Sequence, residues 1–288
     1  MNDPGMIQSI CVCGAGTMGQ GIALVAAQSG FPTILYDVDT ARLEKARVLT
    51  KESLQSLVEK NKISLSEKKE ILNRLHYTDA GKDCVAGFII EAIVEKSEAK
   101  VDLFNQLAEL NPDQTIFASN TSSLSVTAIA EKVKQPQRVA GMHFFNPAPV
   151  MKLVEVVKTK YVSEATILAI TRLARQMGKT PVLCNDAPGF IVNHVARPYY
   201  LEALRLLELG IADVETIDAV MEASGFKMGP FRLMDLIGND INYAVSSSLY
   251  EAMGRPERLK PSKLQKDKVD KKEWGRKTGK GFFDYDRK

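Results

Sequence analysis

Two residues twelve apart could do proton chemistry in this sequence. His143 precedes the turn Asn146-Pro147-x-Pro149, and Glu155 lies inside the apolar run Leu153-Val-Glu-Val-Val157. An acid with four aliphatic neighbours must be paired or protonated, because an unpaired buried carboxylate is costly. The nearest plausible partner is His143. A carboxylate bonded to one ring nitrogen fixes the tautomer and raises the basicity of the other. That is a general base with its orienter, suited to taking a proton from an alcohol. The other histidines, His76 in a polar region and His194 on a helix, read as structural.

A second group of residues could hold a nucleotide. Ile7–Cys13 reads as a short strand. It runs into Gly14-Ala15-Gly16-Thr17-Met18-Gly19 and then into a run with helical spacing. Strand, glycine turn and helix form the context in which G-x-G-x-x-G marks a dinucleotide site. Gly14 permits the turn, Gly16 lets backbone approach a pyrophosphate, and Gly19 lets the helix pack on the sheet. The phosphates would sit on the helix amino end. A second strand, Thr33–Tyr36, ends in Asp37, placed to grip ribose hydroxyls and to repel a 2′-phosphate. NAD is therefore favoured over NADP; Arg42 could weaken that preference. A nicotinamide beside the His143 base makes hydride loss from an alcohol carbon the natural reaction.

The elements that must position these groups alternate. Strands are predicted at Phe88–Glu91, Thr115–Ala118 and Arg138–Met142, with helices from Thr40 to about Lys60, Ser97 to Leu110 and Val126 to Lys132. Thr40 and Ser97 read as helix caps. Such alternation predicts a parallel α/β sheet, doubly wound in the Rossmann manner. Asp37, Glu95, Asn120 and His143 would line one rim, the edge where such sheets bind ligands. Ser122, Ser123 and Ser125 are rim candidates too, or simply caps of the next helix. The Lys-rich, polar stretch Glu59–Glu70 reads either as part of a solvated helical hairpin or as a basic arm for an anionic substrate. After Asn185-Asp-Ala-Pro188-Gly189 the pattern turns helical: Phe190–Leu209, Val214–Ala223 and Arg232–Met253. The expected division is 1–186, a nucleotide-binding domain, and 187–288, an all-helical domain. Pro198 should kink the first of these helices. Apolar residues on several of its faces suggest burial against a partner chain.

Composition sets bounds. Apolar residues make up 45% and charged residues 25%, ordinary globular values. No apolar run is long enough to cross a bilayer, and Met1–Gln8 lacks the pattern of a secretory leader. Residues 255–288 carry 13 basic and 6 acidic residues, a net of +7 against +3 for the whole chain. No nucleic-acid motif accompanies that charge, so it reads as a solvated face or a steering field for an anion. The cysteines Cys11, Cys13, Cys84 and Cys184 are scattered. Cys11 and Cys13 are expected to point to opposite faces of a strand, which argues against metal binding. Reduced thiols in a cytoplasmic protein are expected.

These motifs together resemble the L-3-hydroxyacyl-CoA dehydrogenases of fatty-acid oxidation and butanoate metabolism. The resemblance covers nearly the whole chain. It rests on Gly14–Gly19, Glu91-Ala-Ile-Val-Glu95, Ser119-Asn-Thr-Ser-Ser-Leu124, His143-Phe-Phe-Asn-Pro147 through Lys152-Leu-Val-Glu155, Pro188-Gly-Phe-Ile-Val-Asn193, Met228-Gly-Pro230 and Lys277-Thr-Gly279. It implies that His143 takes the 3-hydroxyl proton and that Glu155 orients it. Ser122 and Asn193 would hold the reacting oxygen and nearby substrate groups. Gly14, Ala15, Gly16, Thr17, Met18, Gly19, Asp37, Glu95, Lys100, Ser122, Asn146 and Lys277 would contact NAD. Ser53 and Lys60 would contact coenzyme A, which favours the basic-arm reading. The helical domain would form a homodimer and close on the first domain. Cys13 stands where aliphatic residues are common, a difference expected to affect packing only. A free-standing chain without a hydratase segment suggests the short-chain, 3-hydroxybutyryl-CoA type. Two rivals are a free hydroxy-acid dehydrogenase on the same scaffold and a nucleotide-binding structural protein without catalysis.

Overall fold

The computed structural model describes residues 7–285. Two compact units divide the chain, Met1–Ala187 and Pro188–Lys288.

In the first unit the order is β1 (Ile10–Cys13), α1 (Thr17–Gln28), β2 (Thr33–Tyr36), α2 (Thr40–Glu59), α3 (Leu65–Asn73), β3 (Leu75–Thr78) and β4 (Phe88–Glu91). It continues with α4 (Ser97–Leu110), β5 (Ile116–Ser119), α5 (Val126–Ala130), β6 (Val139–Phe144), β7 (Leu153–Lys158), α6 (Glu164–Gln176) and β8 (Thr180–Asn185). The strands form one sheet in the order β3-β2-β1-β4-β5-β6-β7-β8. The first six pair in parallel. β7 then pairs antiparallel with β6 and parallel with β8. This is the doubly wound dinucleotide order with two reversed strands added at one edge. The order turns back between β1 and β4, which opens a crevice beyond their carboxyl ends.

Burial explains the strands that the pattern revealed. Every residue of β1, β4, β5 and β6 is buried, as parallel strands covered on both faces require. Ile10, Val12, Phe88, Ile90, Ala118 and Met142 meet α1 and α6 residues such as Ile22 and Ile170 in one core. β3 is different: of its four residues only Thr78 is buried. It is an edge strand without an apolar run, so sequence patterning passes over it. His76 lies on it, exposed. The stretch before it is α3, opened by a capping box between Ser64 and Glu67.

Several local expectations shift. Asp39, rather than Thr40, caps α2 by accepting the Ala41 and Arg42 amides. Ser97 is the first residue of α4, which has no side-chain cap. Ser125 is the serine that caps α5, through the Ala128 amide. His143 lies within β6 rather than beyond it. Cys11 and Cys13 share a face, because side chains two apart on a strand project the same way. Their Sγ atoms are 3.9 Å apart, and interaction with both of them holds the Cys84 thiol below the usual thiol range. Among the described residues no group of three His, Cys, Asp or Glu is arranged to hold a metal ion.

The second unit contains α7 (Val192–Glu208), α8 (Val214–Ala223), α9 (Pro230–Ile237), α10 (Asn239–Ala252) and α11 (Lys263–Asp270). Tyr200, Leu204, Ile217, Phe231, Met234 and Leu249 form its core. The single helix expected over Arg232–Met253 is two helices, broken at Gly238, whose φ of +103° a helix cannot hold. The buried Asp235 carboxylate accepts the Phe282 and Phe283 amides at 2.9 Å each and the Tyr285 hydroxyl. The tail is thereby tied to the helical core. Much of its positive charge is answered locally, as in Lys266–Asp270 and in Lys268 and Lys280 around Glu273. Two hydrogen-bonded lysines hold Glu273 down to about 2. Among the described residues no helix is long and apolar enough to cross a membrane.

Candidate functional site

The glycine turn joins β1 to α1. Gly14 has φ +104°, and a Cβ there would stand 2.5 Å from the Ala92 carbonyl oxygen at the exit of β4. At Gly19 a Cβ would collide with the Gly14 carbonyl oxygen. The chain can therefore cross the crevice only with glycine at both positions. Gly16 caps α1 without a side-chain bond, and the space where its Cβ would point is open. The first amides of α1 have no carbonyl partner within the helix. Asp37, at the end of β2, is nearly buried. Its Oδ2 accepts the Ala15 amide at 2.7 Å and its Oδ1 the Asp39 amide at 3.0 Å. Arg42 pairs with Asp39 at 3.3 Å. An open, amide-lined helix end beside an acid fits a dinucleotide: pyrophosphate on the amides, ribose near Asp37.

Beyond β4 and β5 the rim is organised by a buried ion group. Glu91 ends β4 fully buried, and Lys100 reaches it from α4 at 2.6 Å. Glu91 also accepts the Ser119 hydroxyl and the Ile93 amide, at 2.7 Å each. Lys100 continues to Glu95 at 3.1 Å. Glu95 collects the hydroxyls of Thr121 and Ser123 and the amide of Ser122. Burial would raise the Glu95 pKa, but the Lys100 charge and these hydrogen bonds outweigh it and hold it low. Glu95, Lys100 and Ser122 thus belong to one hydrogen-bonded cluster. Glu91 was not singled out from sequence, although it opens the 91–95 motif. Its closing of an apolar strand is the signal that could have marked it.

His143 and Glu155 face each other across β6 and β7, directly paired in the antiparallel register. Paired residues share a face of the sheet. The His143 Nδ1 lies 2.7 Å from the Glu155 carboxylate, with the two side chains 7% and 1% exposed. The Phe145 ring packs against the imidazole, centroids 4.6 Å apart. The Phe144 amide donates to Asn120 Oδ1 at 2.8 Å, which ties the end of β6 to the loop carrying Ser122. Asn146 is exposed in the following turn, its peptide to Pro147 cis. Lys179 braces that turn by donating to the Ala148 and Met151 carbonyls. Nothing in the sequence singled out Lys179.

The remaining predicted residues are on other elements. Ser53 and Lys60 are exposed on α2 and at its end, seven residues and so two turns apart on one face. In the second unit, Asn193 is in the first turn of α7, its carbonyl accepting from Arg197 at 3.2 Å. Lys277 is paired with Asp240 at 2.6 Å.

Known proteins carry the same pattern. Residues 9–187 match the family description "3-hydroxyacyl-CoA dehydrogenase, NAD binding domain", and residues 189–285 match "3-hydroxyacyl-CoA dehydrogenase, C-terminal domain". The chain is 46% identical over 281 residues to the 3-hydroxyadipyl-CoA dehydrogenase of Escherichia coli, covering 97% of this chain and 59% of that protein. It is 42% identical over 284 residues to a Bacillus subtilis protein named "Probable 3-hydroxybutyryl-CoA dehydrogenase", covering 98% and 99%. A crystal structure of 3-hydroxybutyryl-CoA dehydrogenase from Escherichia coli superposes with a TM-score of 0.94 at 44% identity, covering 98% of this chain and 60% of that one. The chain thus spans about three fifths of the length of the Escherichia coli relative and nearly all of the Bacillus one. With both family descriptions matched in order, and with a first unit of the NAD-binding type, the chain belongs to the 3-hydroxyacyl-CoA dehydrogenase family.

Proposed function

We propose that the protein oxidises L-3-hydroxyacyl-CoA to 3-ketoacyl-CoA reversibly with NAD, acting on short acyl chains such as 3-hydroxybutyryl. The observation that carries this reading is the buried His143–Glu155 pair on the sheet whose carboxyl edge bears the glycine turn. Glu155 holds Nδ1, so Nε2 is the nitrogen that receives the 3-hydroxyl proton. The carboxylate then stabilises the imidazolium that forms. The Ser122 hydroxyl, placed by the Glu95 cluster, is assigned to the substrate oxygen, with Asn193 as a second polar contact by resemblance. NAD, when bound, accepts the hydride leaving C3. Gly14 to Gly19, Asp37, Glu95, Lys100, Asn146 and Lys277 are assigned to holding it. Asp37 next to the ribose position favours NAD over its 2′-phosphate, and Arg42 is occupied with Asp39. Ser53 and Lys60 are assigned to the coenzyme A moiety.

A homodimer through the helical unit is part of the proposal, as is a role in fatty-acid β-oxidation or butanoate metabolism. Four cysteines outside any disulfide suit a reducing compartment, and cytoplasmic placement is proposed on that basis. A second reading has a specific support: the Escherichia coli relative at 46% identity is named for 3-hydroxyadipyl-CoA, a longer acyl group ending in a carboxylate. One assay separates these readings. Oxidation of NADH and of NADPH is followed with acetoacetyl-CoA, 3-oxoadipyl-CoA, longer 3-ketoacyl-CoAs and free acetoacetate. Turnover of acetoacetyl-CoA with NADH, and not of free acetoacetate, is expected. Preference for 3-oxoadipyl-CoA establishes the second reading. NADH binding without any turnover sinks both.

A further inference from the structure

The candidate site uses the carboxyl end of the sheet. At the opposite end, where the strands begin, there is a cleft of about 700 Å³. Small-ligand pockets span roughly 300–1,000 Å³. The segments leading into β1, β4, β5 and β6 line it, and α6 closes one side. Most of the wall is aliphatic, with Ile7, Ala86, Ile116, Ala165 and Ala169 among its residues.

One charge sits in this wall. Arg138, just before β6, is 6% exposed. Its Nη1 donates to the Pro112 and Thr115 carbonyls, 2.9 Å each, and its guanidinium lies over the Phe117 ring. Its Nε is buried and has no hydrogen-bond partner among the described residues. Asp113 acts on the charge at a distance without bonding to it, its carboxylate being taken by Gln135. A buried donor without a partner is costly. The edge of a guanidinium that includes Nε is one that a carboxylate can grip with two parallel bonds. Among the described residues the lining holds no second basic side chain, so the site suits one negative charge rather than a phosphate dianion. The aliphatic wall disfavours a small, fully hydrated anion.

We propose that this cleft binds a monocarboxylate with an unbranched aliphatic chain, its head on Arg138 and its chain along Ile7, Ile116, Ala165 and Ala169. The site is separate from the glycine turn and from His143, which lie toward the other ends of β1 and β6.

The test uses the full chain with ¹³C-labelled Ile and Ala methyl groups and octanoate as the probe. Saturable shifts are expected at Ile7, Ile116, Ala165 and Ala169, with at least tenfold tighter binding than acetate, which lacks the chain, or octanol, which lacks the charge. Arg138→Gln should weaken octanoate at least tenfold. Because that change also loosens the 112–115 turn, Ala169→Phe provides the second variant. It fills the cleft from α6, keeps Arg138, and should weaken octanoate to the same degree with the remaining methyl spectrum unchanged. Equal affinity for octanol, shifts confined to residues outside the cleft, or full binding by Ala169→Phe would each overturn the proposal.

Discussion

A histidine that takes a proton from a hydroxyl needs its other nitrogen occupied. In this chain Glu155 does so at 2.7 Å, with its carboxylate buried. Replacing Glu155 by Gln keeps the shape, removes the charge and can present its amide to the wrong ring tautomer. Glu155→Gln is therefore expected to lower kcat by ~10²–10⁴, the range of acid–base residues, with NADH affinity unchanged in a fluorescence titration. His143→Gln is expected to abolish turnover and likewise leave NADH binding in place. Wild-type kcat in Glu155→Gln would remove the pairing argument. Loss of NADH binding in His143→Gln would show that the imidazole serves the nucleotide instead. Both residues were legible in the sequence, because a lone acid in an apolar run and a histidine near a strand end are each locally anomalous. Glu91 and Lys100 look ordinary locally. Only the approach of α4 to the end of β4 makes them a buried ion pair.

At the scale of elements, the loop between β5 and α5 is held by one carboxylate. Glu95 bonds Thr121, Ser122 and Ser123 and keeps a lowered pKa, since Lys100 and these bonds outweigh its burial. Its folded pKa thus lies below the unfolded value of about 4.3. The sign follows: the contribution is complete above the unfolded value and is lost as pH falls through the folded one. Amide protection in 119–124 is expected to fall on acidification below about pH 4.3 before protection of the sheet does. In Glu95→Gln it should be low already at neutral pH and insensitive to acid. Hydrogen exchange at matched intrinsic rates checks this, and acid-independent protection in the unmutated protein would count against it. The interior strands were readable because each is a short apolar run between turn residues. The edge strand β3 and the break at Gly238 were not. An edge strand buries too little to leave a pattern, and a glycine between two apolar helical runs does not itself reveal which way the chain turns.

At the scale of the molecule, the helical unit presents large apolar side chains to solvent. Leu209 and Ile211 are 67% and 64% exposed, and Val220 and Phe226 more than half or half so. These exposed apolar side chains are where the proposed homodimer is expected to form. Leu209→Lys together with Ile211→Lys is expected to halve the mass seen by analytical ultracentrifugation at micromolar concentration. A wild-type chain that sediments as a monomer would refute the dimer, and an unchanged dimer in the double variant would place its interface elsewhere.

Local order in the chain was enough for several conclusions. The glycine spacing after a strand, the acid ending the next strand and the strand–helix alternation specify a doubly wound, NAD-binding unit, because turn geometry and periodicity are properties of adjacent residues. The helical composition of the last hundred residues is local in the same way. What only tertiary structure decided is which distant groups meet. The antiparallel register of β6 and β7 sets His143 against Glu155. The packing of α4 joins Lys100 to both Glu91 and Glu95. The common face of β1, covered by the loop bearing Cys84, gathers three thiols expected to be apart. The beginnings of four strands leave Arg138 in a cleft no motif announces. These contacts depend on strand order, register and helix placement, which arise from burying the whole core at once and are not written at any one position.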